Sequence, residues 1–292
     1  MGAALKVISL SSIPPRFEVI GPTLECLVAQ GSAADSVELY IPRTYRRFPD
    51  YDGRLPAVPA GVTVLQPEAD LGPSSKVLHA ARRYRDQPEA QILFCDDDRD
   101  YYSGWAARLF AEQAARPDEA VALTGWDVER TGLDAYAPRP EPRHARRARR
   151  WDWDYRAKRI RQILSGKAKV PIRLKPARRL IARPGYADIF EGYGGVVVRP
   201  GFFDDECWDI PKVLWAVDDV WLSGMLARRG IGIWVPAGLY EPKNTVADLT
   251  EALFRWRTSD MGRAQLNAHC ARYLRDTYGV WSDRASDLQM AR

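Results

Sequence analysis

A short apolar run that ends in consecutive carboxylates limits the possible folds of this chain more than any other segment. Residues 92–95 read Ile-Leu-Phe-Cys, and Asp96, Asp97 and Asp98 follow directly. An unbroken apolar run of this length is typical of a strand that is buried on both faces of a sheet. Ligands of open α/β sheets bind at the carboxyl ends of the strands. The sequence therefore predicts that the three acids lie at a ligand-binding edge.

The three acids also predict a divalent cation, because adjacent carboxylates repel one another unless a positive charge neutralises them. Mn²⁺ and Mg²⁺ prefer oxygen ligands and often accept only one or two from the protein, with water and substrate phosphate supplying the others. The alternative is a solvated turn whose aspartates cap a helix, since Asp is common at turns and N-caps.

Strands and helices alternate along most of the chain, which predicts an α/β fold with a mostly parallel central sheet flanked by helices. The strands are expected at residues 6–10, 37–41, 62–65, 92–95, 121–125, 196–198 and 231–236. The helices are expected at residues 22–30, 77–84, 104–115 and 215–230, and in a mainly helical C-terminal tail, 249–278, with core contacts from Leu253, Trp256, Leu266 and Leu274.

The composition is that of a globular chain, with 46% apolar and 28% charged residues among 292. No apolar run approaches the roughly 18 residues of a membrane span. The first ten residues lack the pattern of a signal peptide, and the four cysteines are far apart without a Cys-x-x-Cys pair. We therefore expect a cytoplasmic protein with free thiols and no zinc site.

The net charge of +5 conceals a strongly basic block. Residues 139–183 contain seventeen arginines and lysines against three acids, so the rest of the chain is acidic. Such a block attracts an anionic partner, which can be a membrane surface, a phosphorylated substrate or nucleic acid. The alternative is a solvated insertion that binds nothing.

Within the basic block, Trp151, Trp153 and Tyr155 precede a predicted amphipathic helix that runs through Leu164. Aromatic and basic residues together suit either an interfacial helix on anionic lipid or the binding of a sugar-phosphate acceptor. We expect possible peripheral contact with an anionic membrane through residues 139–183, at the inner face of the membrane, and no nucleic-acid partner.

Three further segments carry polar or flexible residues beside predicted elements. Residues 72–76, Gly-Pro-Ser-Ser-Lys, open a helix whose amide groups and Lys76 suit a phosphate, although a capped helix with a surface lysine is the alternative. The glycines of residues 192–195 allow close approach of a ligand or form a simple bulge. Asp218 and Asp219 lie in the first turn of a predicted helix, where the helix dipole favours acids.

Taken together, these segments resemble the nucleotide-sugar-dependent glycosyltransferases of the GT-A fold, in particular family 2-like enzymes of bacterial polysaccharide biosynthesis. Five segments carry the resemblance in the order typical of the family, and the basic block falls outside it. They are residues 9–17, 72–76, 96–98, 191–195 and 218–223.

The resemblance implies roles for individual residues. Asp96 to Asp98 look like the Asp-x-Asp motif, in which Asp98 would bind the metal, and Asp96 would lie near the ribose and add a metal contact. Asp219 matches the general base of inverting members, with Asp218 in support. The nucleotide contacts implied are Ser11, Arg16, Asp70, Lys76, Asp96 and Asp97, and the substrate contacts are Gly194, Gly195 and Trp221.

The expected protein is thus a single GT-A domain, 1–292, with a basic insertion at 137–185 and a helical tail at 249–292. It would use Mn²⁺ or Mg²⁺ to transfer a sugar from a nucleotide sugar, UDP-linked by expectation, to a hydroxyl of a glycan or glycolipid. Many relatives supply a further metal ligand, often His, for which Glu241 or Asn244 would stand here, while His269 lies in the tail. The alternatives are a nucleotidyltransferase or metal-dependent phosphohydrolase at the same edge, or a nucleic-acid-binding module.

Overall fold

A computed structural model describes residues 4–134, 139–148, 152–170, 175–250 and 262–282. Trp151, expected beside the amphipathic helix, and Leu253 and Trp256, expected in the core, lie outside these described residues. The strands within them are β1 (Lys6–Ser11), β2 (Ser36–Tyr40), β3 (Val62–Leu65), β4 (Gln91–Phe94), β5 (Arg99–Asp100), β6 (Ala120–Ala122), β7 (Gly125–Trp126), β8 (Ala145–Arg146), β9 (Ile181–Arg183), β10 (Gly185–Ala187), β11 (Ile189–Phe190), β12 (Val196–Val198), β13 (Ile233–Val235) and β14 (Lys243–Asn244).

Eight of the strands form one mostly parallel sheet in the order β10-β13-β6-β12-β4-β1-β2-β3. The half formed by β4, β1, β2 and β3 is entirely parallel. Strand β12 runs antiparallel to both of its neighbours, β4 and β6. The predicted α/β class and mostly parallel central sheet are confirmed, and the architecture is compatible with a Rossmann-like fold.

Helices cover both faces of this sheet. They are α1 (Gly21–Val28), α2 (Ser75–Arg83), α3 (Trp105–Ala114), α4 (Trp153–Leu164), α5 (Asp218–Arg228) and α6 (Arg263–Tyr278). Residues of α2, α5 and α6 pack into the core on one face, and residues of α1 and α3 pack on the other. Alternate residues of β4 enter the two cores, as the pleat of a strand requires: Ile92 and Phe94 on one face and Leu93 on the other.

The strand predicted at residues 121–125 is divided in two. Strand β6 ends at Ala122, and the chain then passes to β7, which pairs with β11 in a small separate sheet. The amide of Glu191 donates to the carbonyl of Thr124 at 3.0 Å, which ties the small sheet to the turn between β6 and β7. This small sheet holds the glycine-rich residues 192–195 beside the ligand edge.

The basic block is not purely helical. It contains α4, but β8 and β9 pair with each other beside it, and its C-terminal end continues into β10 at the edge of the central sheet. Its first arginines are neutralised within the protein. Arg139 pairs with Glu129 and Asp188, and Arg143 pairs with Asp127 and Asp188. Part of the positive charge is therefore structural and unavailable to a partner.

The four cysteines are free, as expected. The C-terminal helix α6 packs against α5 through its buried residues Leu266 and Leu274, which confirms these two predicted core contacts.

Candidate active site

A cavity of about 280 Å³ opens at the carboxyl ends of β1 and β4. Its lining comes from both halves of the chain, from the loop after β1 to the start of α6. The lining residues are Ser11, Ser12, Ile13, Arg16, Pro42, Tyr45, Arg47, Phe48, Asp70, Gly72, Pro73, Ser75, Lys76, Asp96, Asp97, Asp98, Arg99, Tyr193, Trp215, Asp218, Asp219, Asp248 and Arg263.

The three aspartates of the triplet have different partners, although all three line this cavity. Asp97 is buried and accepts hydrogen bonds from the Ser12 hydroxyl and the Arg16 guanidinium. These partners follow from the parallel pairing of β1 and β4, which brings the chain after β1 beside the chain after β4. Arg16 also donates to the carbonyl of Thr250 at 2.9 Å, so it links the triplet to the loop after β14.

Asp98 is the acid of the triplet with the fewest hydrogen bonds to its carboxylate. Its side chain is 10% exposed, with Arg16 Nη2 3.3 Å from Oδ2 and Arg99 Nε 3.2 Å from Oδ1. Both are ion-pair contacts, and the buried Oδ1 accepts no hydrogen bond from the described residues. Burial, together with the charges of Asp96 and Asp97, raises the pKa of Asp98 to about 7. The two arginines only partly offset burial and the repulsion from Asp96 and Asp97, and a divalent cation beside Asp98 would reduce that repulsion further.

The donor set fits a divalent metal that takes few protein ligands. Asp98 and Asp96 would hold it, because both oxygens of Asp97 are already engaged by Ser12 and Arg16. Across the described ranges, no group of three His, Cys, Asp or Glu side chains is arranged to hold a metal. Water and substrate phosphate would therefore have to supply the remaining ligands, as Mg²⁺ and Mn²⁺ commonly allow.

Lys76 connects the triplet to the acids of α5. Its Nζ lies 2.6 Å from Asp96 Oδ1 and 2.7 Å from Asp218 Oδ2, and its side chain is 5% exposed. Burial would lower the pKa of Lys76, but the charges of Asp218, Asp96 and Asp219 outweigh it and hold the pKa well above its usual value. The alternative of a surface lysine beside a capped helix is therefore wrong.

The two acids at the start of α5 have pKa values that diverge. Burial alone would raise the pKa of Asp218, but the charges of Lys76 and Arg263 hold it below its usual value. Burial and the charge of Asp218 raise the pKa of Asp219 to about 8. Neighbouring carboxylates with separated pKa values are a common arrangement for acid–base chemistry.

The glycine nearest these charges is Gly192. Its amide donates to Asp219 Oδ1 at 3.0 Å, and a Cβ added to it would lie 2.8 Å from Lys76 Nζ. Gly194 and Gly195 instead pack away from the cavity: an added Cβ would contact Leu123 or the Trp105 ring, respectively. The prediction that these two glycines form a wall beside the substrate is therefore corrected, because Tyr193 is the residue of this loop that lines the cavity.

The prediction that Trp221 contacts the substrate is wrong. Its side chain is fully buried in the core, and its indole Nε1 donates to the carbonyl of Cys207 at 3.1 Å. Trp221 lies two residues after Asp219 on α5, and that position turns it away from the cavity toward the ring of Tyr273 on α6.

Ser11 and Asp70, for which the resemblance implies nucleotide contacts, both line the cavity. The carboxylate of Asp70 accepts hydrogen bonds from the backbone amides of Arg46 and Gly72, at 2.8 and 2.9 Å. Asp70 therefore shapes the loop beside the cavity, while the indole of Trp215 donates to the carbonyl of Asp70 at 3.2 Å.

Several lining residues are missed by the sequence analysis. Arg263, the first residue of α6, donates to the carbonyl of Ala216 at 2.8 Å and lies 3.6 Å from Asp218. Asp248 lines the cavity, whereas the proposed metal ligands Glu241 and Asn244 do not, and neither does His269. No local pattern marks Arg263 or Asp248, since each reaches the cavity only through tertiary packing.

Comparison with known proteins gives no family assignment. No protein-family model matches this chain, and no curated protein matches it at a significant level. The motifs and the geometry above therefore carry the functional argument.

The side chains of this cavity are suited to two tasks, metal–phosphate binding and proton transfer. Asp98, Asp96 and Lys76 offer anionic and cationic groups to a metal–phosphate ligand, and Lys76 can neutralise charge that develops on a phosphate. Asp219, with its raised pKa, can take or release a proton near neutral pH. The residues for both tasks line the same cavity.

Proposed function

We propose that this chain is a metal-dependent glycosyltransferase with a GT-A-like fold, which transfers a sugar from a nucleotide sugar to a hydroxyl group. The proposal rests mainly on Lys76. Its ammonium group contacts both Asp96 of the triplet and Asp218 of the α5 carboxylate pair, so the two groups of acids lie in one site. The acids of the triplet can bind the metal that a nucleoside diphosphate requires, and Asp219 can serve as the base that an attacking hydroxyl requires.

In the proposed reaction, an acceptor hydroxyl attacks the anomeric carbon of the donor while Asp219 takes its proton. The Gly192 amide holds the Asp219 carboxylate in position by donating to Oδ1. The bond between the anomeric carbon and the phosphate oxygen breaks, and the nucleoside diphosphate leaves. Lys76, kept protonated by its acidic neighbours, stabilises the departing negative charge.

A divalent metal bound by Asp98 and Asp96 would act as a Lewis acid on the diphosphate. Ser11, Arg16 and Asp70 lie on the side of the cavity that we assign to the nucleotide. A base across the sugar favours inversion at the anomeric carbon, and we propose an inverting reaction in the synthesis of a surface polysaccharide.

The products formed from nucleotide sugars test this proposal against the rival enzymes. We expect ³¹P NMR of reactions with a panel of nucleotide sugars and Mn²⁺ to show an intact nucleoside diphosphate. Release of a nucleoside monophosphate with a sugar phosphate would indicate a phosphohydrolase. In parallel reactions with a nucleoside triphosphate and a sugar 1-phosphate, release of pyrophosphate would indicate a nucleotidyltransferase. Either result would overturn the proposal.

We further propose that α4 carries the enzyme to the inner face of an anionic membrane. Trp153, Ile160 and Leu164 share one face of α4 and are 63%, 57% and 82% exposed. Arg156 of the same helix is exposed and lies over the ring of Trp153, where it is positioned to meet lipid phosphates. Among the described residues, no helix has the length and apolar character needed to cross a bilayer. The contact that we propose is peripheral.

A further inference from the structure

A second cavity, also of about 280 Å³, lies within the basic block and outside the candidate active site. The pairing of β8 with β9 forms part of it, and the amide of Glu241 donates to the carbonyl of Arg178 at 2.7 Å to join the loop after β13 to it. The lining residues are Arg146, Arg147, Asp152, Arg178, Arg179, Leu180 and Glu241.

The charges of this cavity favour an anion, since four arginines face two carboxylates. Both carboxylates already have partners. Asp152 caps α4 by accepting from the amide of Tyr155 at 3.1 Å, and Arg178 lies 3.7 Å from it. Glu241 accepts from the Tyr193 hydroxyl at 3.2 Å. Arg146 pairs with a third carboxylate, Glu191, at 3.1 Å, so the four arginines leave a net excess of one positive charge around the cavity.

Arg147 is the arginine with the most unused hydrogen-bonding capacity. Its backbone amide donates to the carbonyl of Leu180, but its guanidinium forms no hydrogen bond or ion pair with any described residue. Its Nε is buried and unsatisfied, and so is the Nε of Arg179. Buried donors of charged groups that lack partners are costly, and an oxyanion would satisfy them.

The second cavity adjoins the wall of the first. Arg146 lies 3.1 Å from Glu191, the residue before Gly192, and Glu241 contacts Tyr193, which lines the first cavity. Asp152 is also the N-cap of α4, next to the exposed Trp153. A ligand anchored in the second cavity would thus lie between the proposed catalytic base and the proposed membrane-facing helix.

We propose that this cavity binds a phosphate group carried by the acceptor. Arginine suits this ligand because its planar guanidinium can donate two parallel hydrogen bonds to one phosphate. The assignment of the phosphate to the acceptor rests on the proposed glycosyltransferase function, whereas the existence of an oxyanion site does not. The phosphate can belong to a soluble molecule or to a lipid.

The test is calorimetric titration of the full chain with inorganic phosphate at constant ionic strength. Arg147→Gln removes the unpaired guanidinium, and Arg161→Gln is its matched control, because Arg161 is an exposed residue of α4 that does not line the cavity. We expect Arg147→Gln to weaken phosphate binding at least about tenfold, from the loss of charged hydrogen bonds. Arg161→Gln should change it less than about twofold, the effect of a distant screened charge.

Arg147→Lys keeps the charge without the planar fork, so we expect it to bind phosphate with intermediate affinity. Co-sedimentation with phosphatidylcholine vesicles that contain either phosphatidic acid or phosphatidylglycerol identifies the source of the phosphate. A preference for phosphatidic acid that Arg147→Gln abolishes indicates a lipid phosphate. Phosphate binding in solution without that preference indicates a soluble acceptor.

Two results would overturn the site: no phosphate binding to the unmodified chain, or equal losses in Arg147→Gln and Arg161→Gln. A nucleotide titration of the same variants reports on the first cavity. Absence of nucleotide binding while phosphate binding persists would contradict the glycosyltransferase function and the acceptor assignment, but it would leave the oxyanion site established.

Discussion

At the scale of single residues, Lys76 determines the electrostatics of the candidate active site. It pairs with Asp218 and Asp96, so that Asp219 is the acid of the α5 pair whose pKa is raised. A carboxyl with a pKa of about 8 is a strong enough base to accept a proton from a hydroxyl that is losing it in a transition state. Three predictions follow from this division of roles.

Asp219→Asn should lower kcat by about 10² to 10⁴-fold, the usual contribution of a general base. Nucleotide binding should persist, because the amide oxygen of Asn can still accept from Gly192. Asp209→Asn is a suitable control, since Asp209 is exposed and does not line the cavity. Steady-state kinetics with calorimetry of nucleotide binding measures both quantities, and full activity of Asp219→Asn would end the assignment.

The reaction should accelerate as the pH rises through about 8. The pKa of Asp219 is raised, so the acid is protonated below this pH and cannot take a proton from the acceptor. kcat/KM should therefore fall about tenfold per pH unit well below 8 and level off above it. A profile measured at saturating metal that stays flat between pH 6 and about 9 would contradict this role.

Gly192→Ala should reduce activity more than stability. The added methyl group would lie 2.8 Å from Lys76 Nζ and 3.0 Å from Asp219 Oδ1, and would displace both side chains. We expect kcat to fall at least about tenfold, since small displacements of catalytic groups are costly. The control is Gly201→Ala, whose added Cβ has no atom within 4 Å. Equal kcat values for the two variants would contradict the positioning role of Gly192.

Some features of the site could be predicted from the sequence and others could not, for physical reasons. The acids 96–98 could be predicted because a buried strand must end in a loop at a known edge of the sheet. The side-chain direction of Trp221 and the packing of Gly195 against Trp105 depend on how α5 and α3 rotate against the core, which no local pattern encodes.

At the scale of elements, the central strands and most helices could be predicted from apolar periodicity. The division of residues 121–125 into β6 and β7 could not, because it depends on pairing with residues 189–191, about 65 residues away. The basic block also differs from expectation. Its composition indicated a helix. Besides that helix it contains β8 and β9, which pair with each other although they are far apart in the sequence.

The packing of α5 against α6 is close at Gly224. A Cβ added there would clash with the methyl carbons of Leu274, in the buried core. Gly224→Ala should therefore destabilise the protein by about 1 to 2 kcal/mol, because overpacking outweighs the gain in helix propensity. Thermal or urea unfolding measures this. Gly21→Ala on α1, where an added Cβ meets nothing within 4 Å, should not lower stability.

If α4 lies on a membrane, Leu164→Glu should weaken binding to vesicles that contain anionic lipid. Leu164 is 82% exposed, so the melting temperature should not change. Leu55→Glu introduces the same charge at another exposed leucine, 41% exposed and distant from α4 in sequence, and should retain more binding. Co-sedimentation at low salt compares the two, and equal binding by both variants would contradict a docking role for α4.

At the scale of the whole molecule, the cavity collects residues from widely separated parts of the chain. Arg16 follows β1, Lys76 lies in the first turn of α2, and Arg263 opens α6. The parallel pairing of β1 with β4 brings the chain after β1 beside the acids after β4, so the contact of Arg16 with this edge could be predicted, whereas Ser12 was not singled out. Arg263 reaches Asp218 only through the packing of α6 on α5, and no local sequence pattern indicates that contact.

The central claim is that Asp98 holds a metal on a nucleoside diphosphate. Calorimetry of the full chain against a panel of nucleotides and nucleotide sugars, with and without Mn²⁺, tests it most directly. We predict metal-dependent binding of one nucleoside diphosphate that Asp98→Ala removes and Asp209→Ala retains. Nucleotide binding that needs no metal, or that persists in Asp98→Ala, would contradict the claim.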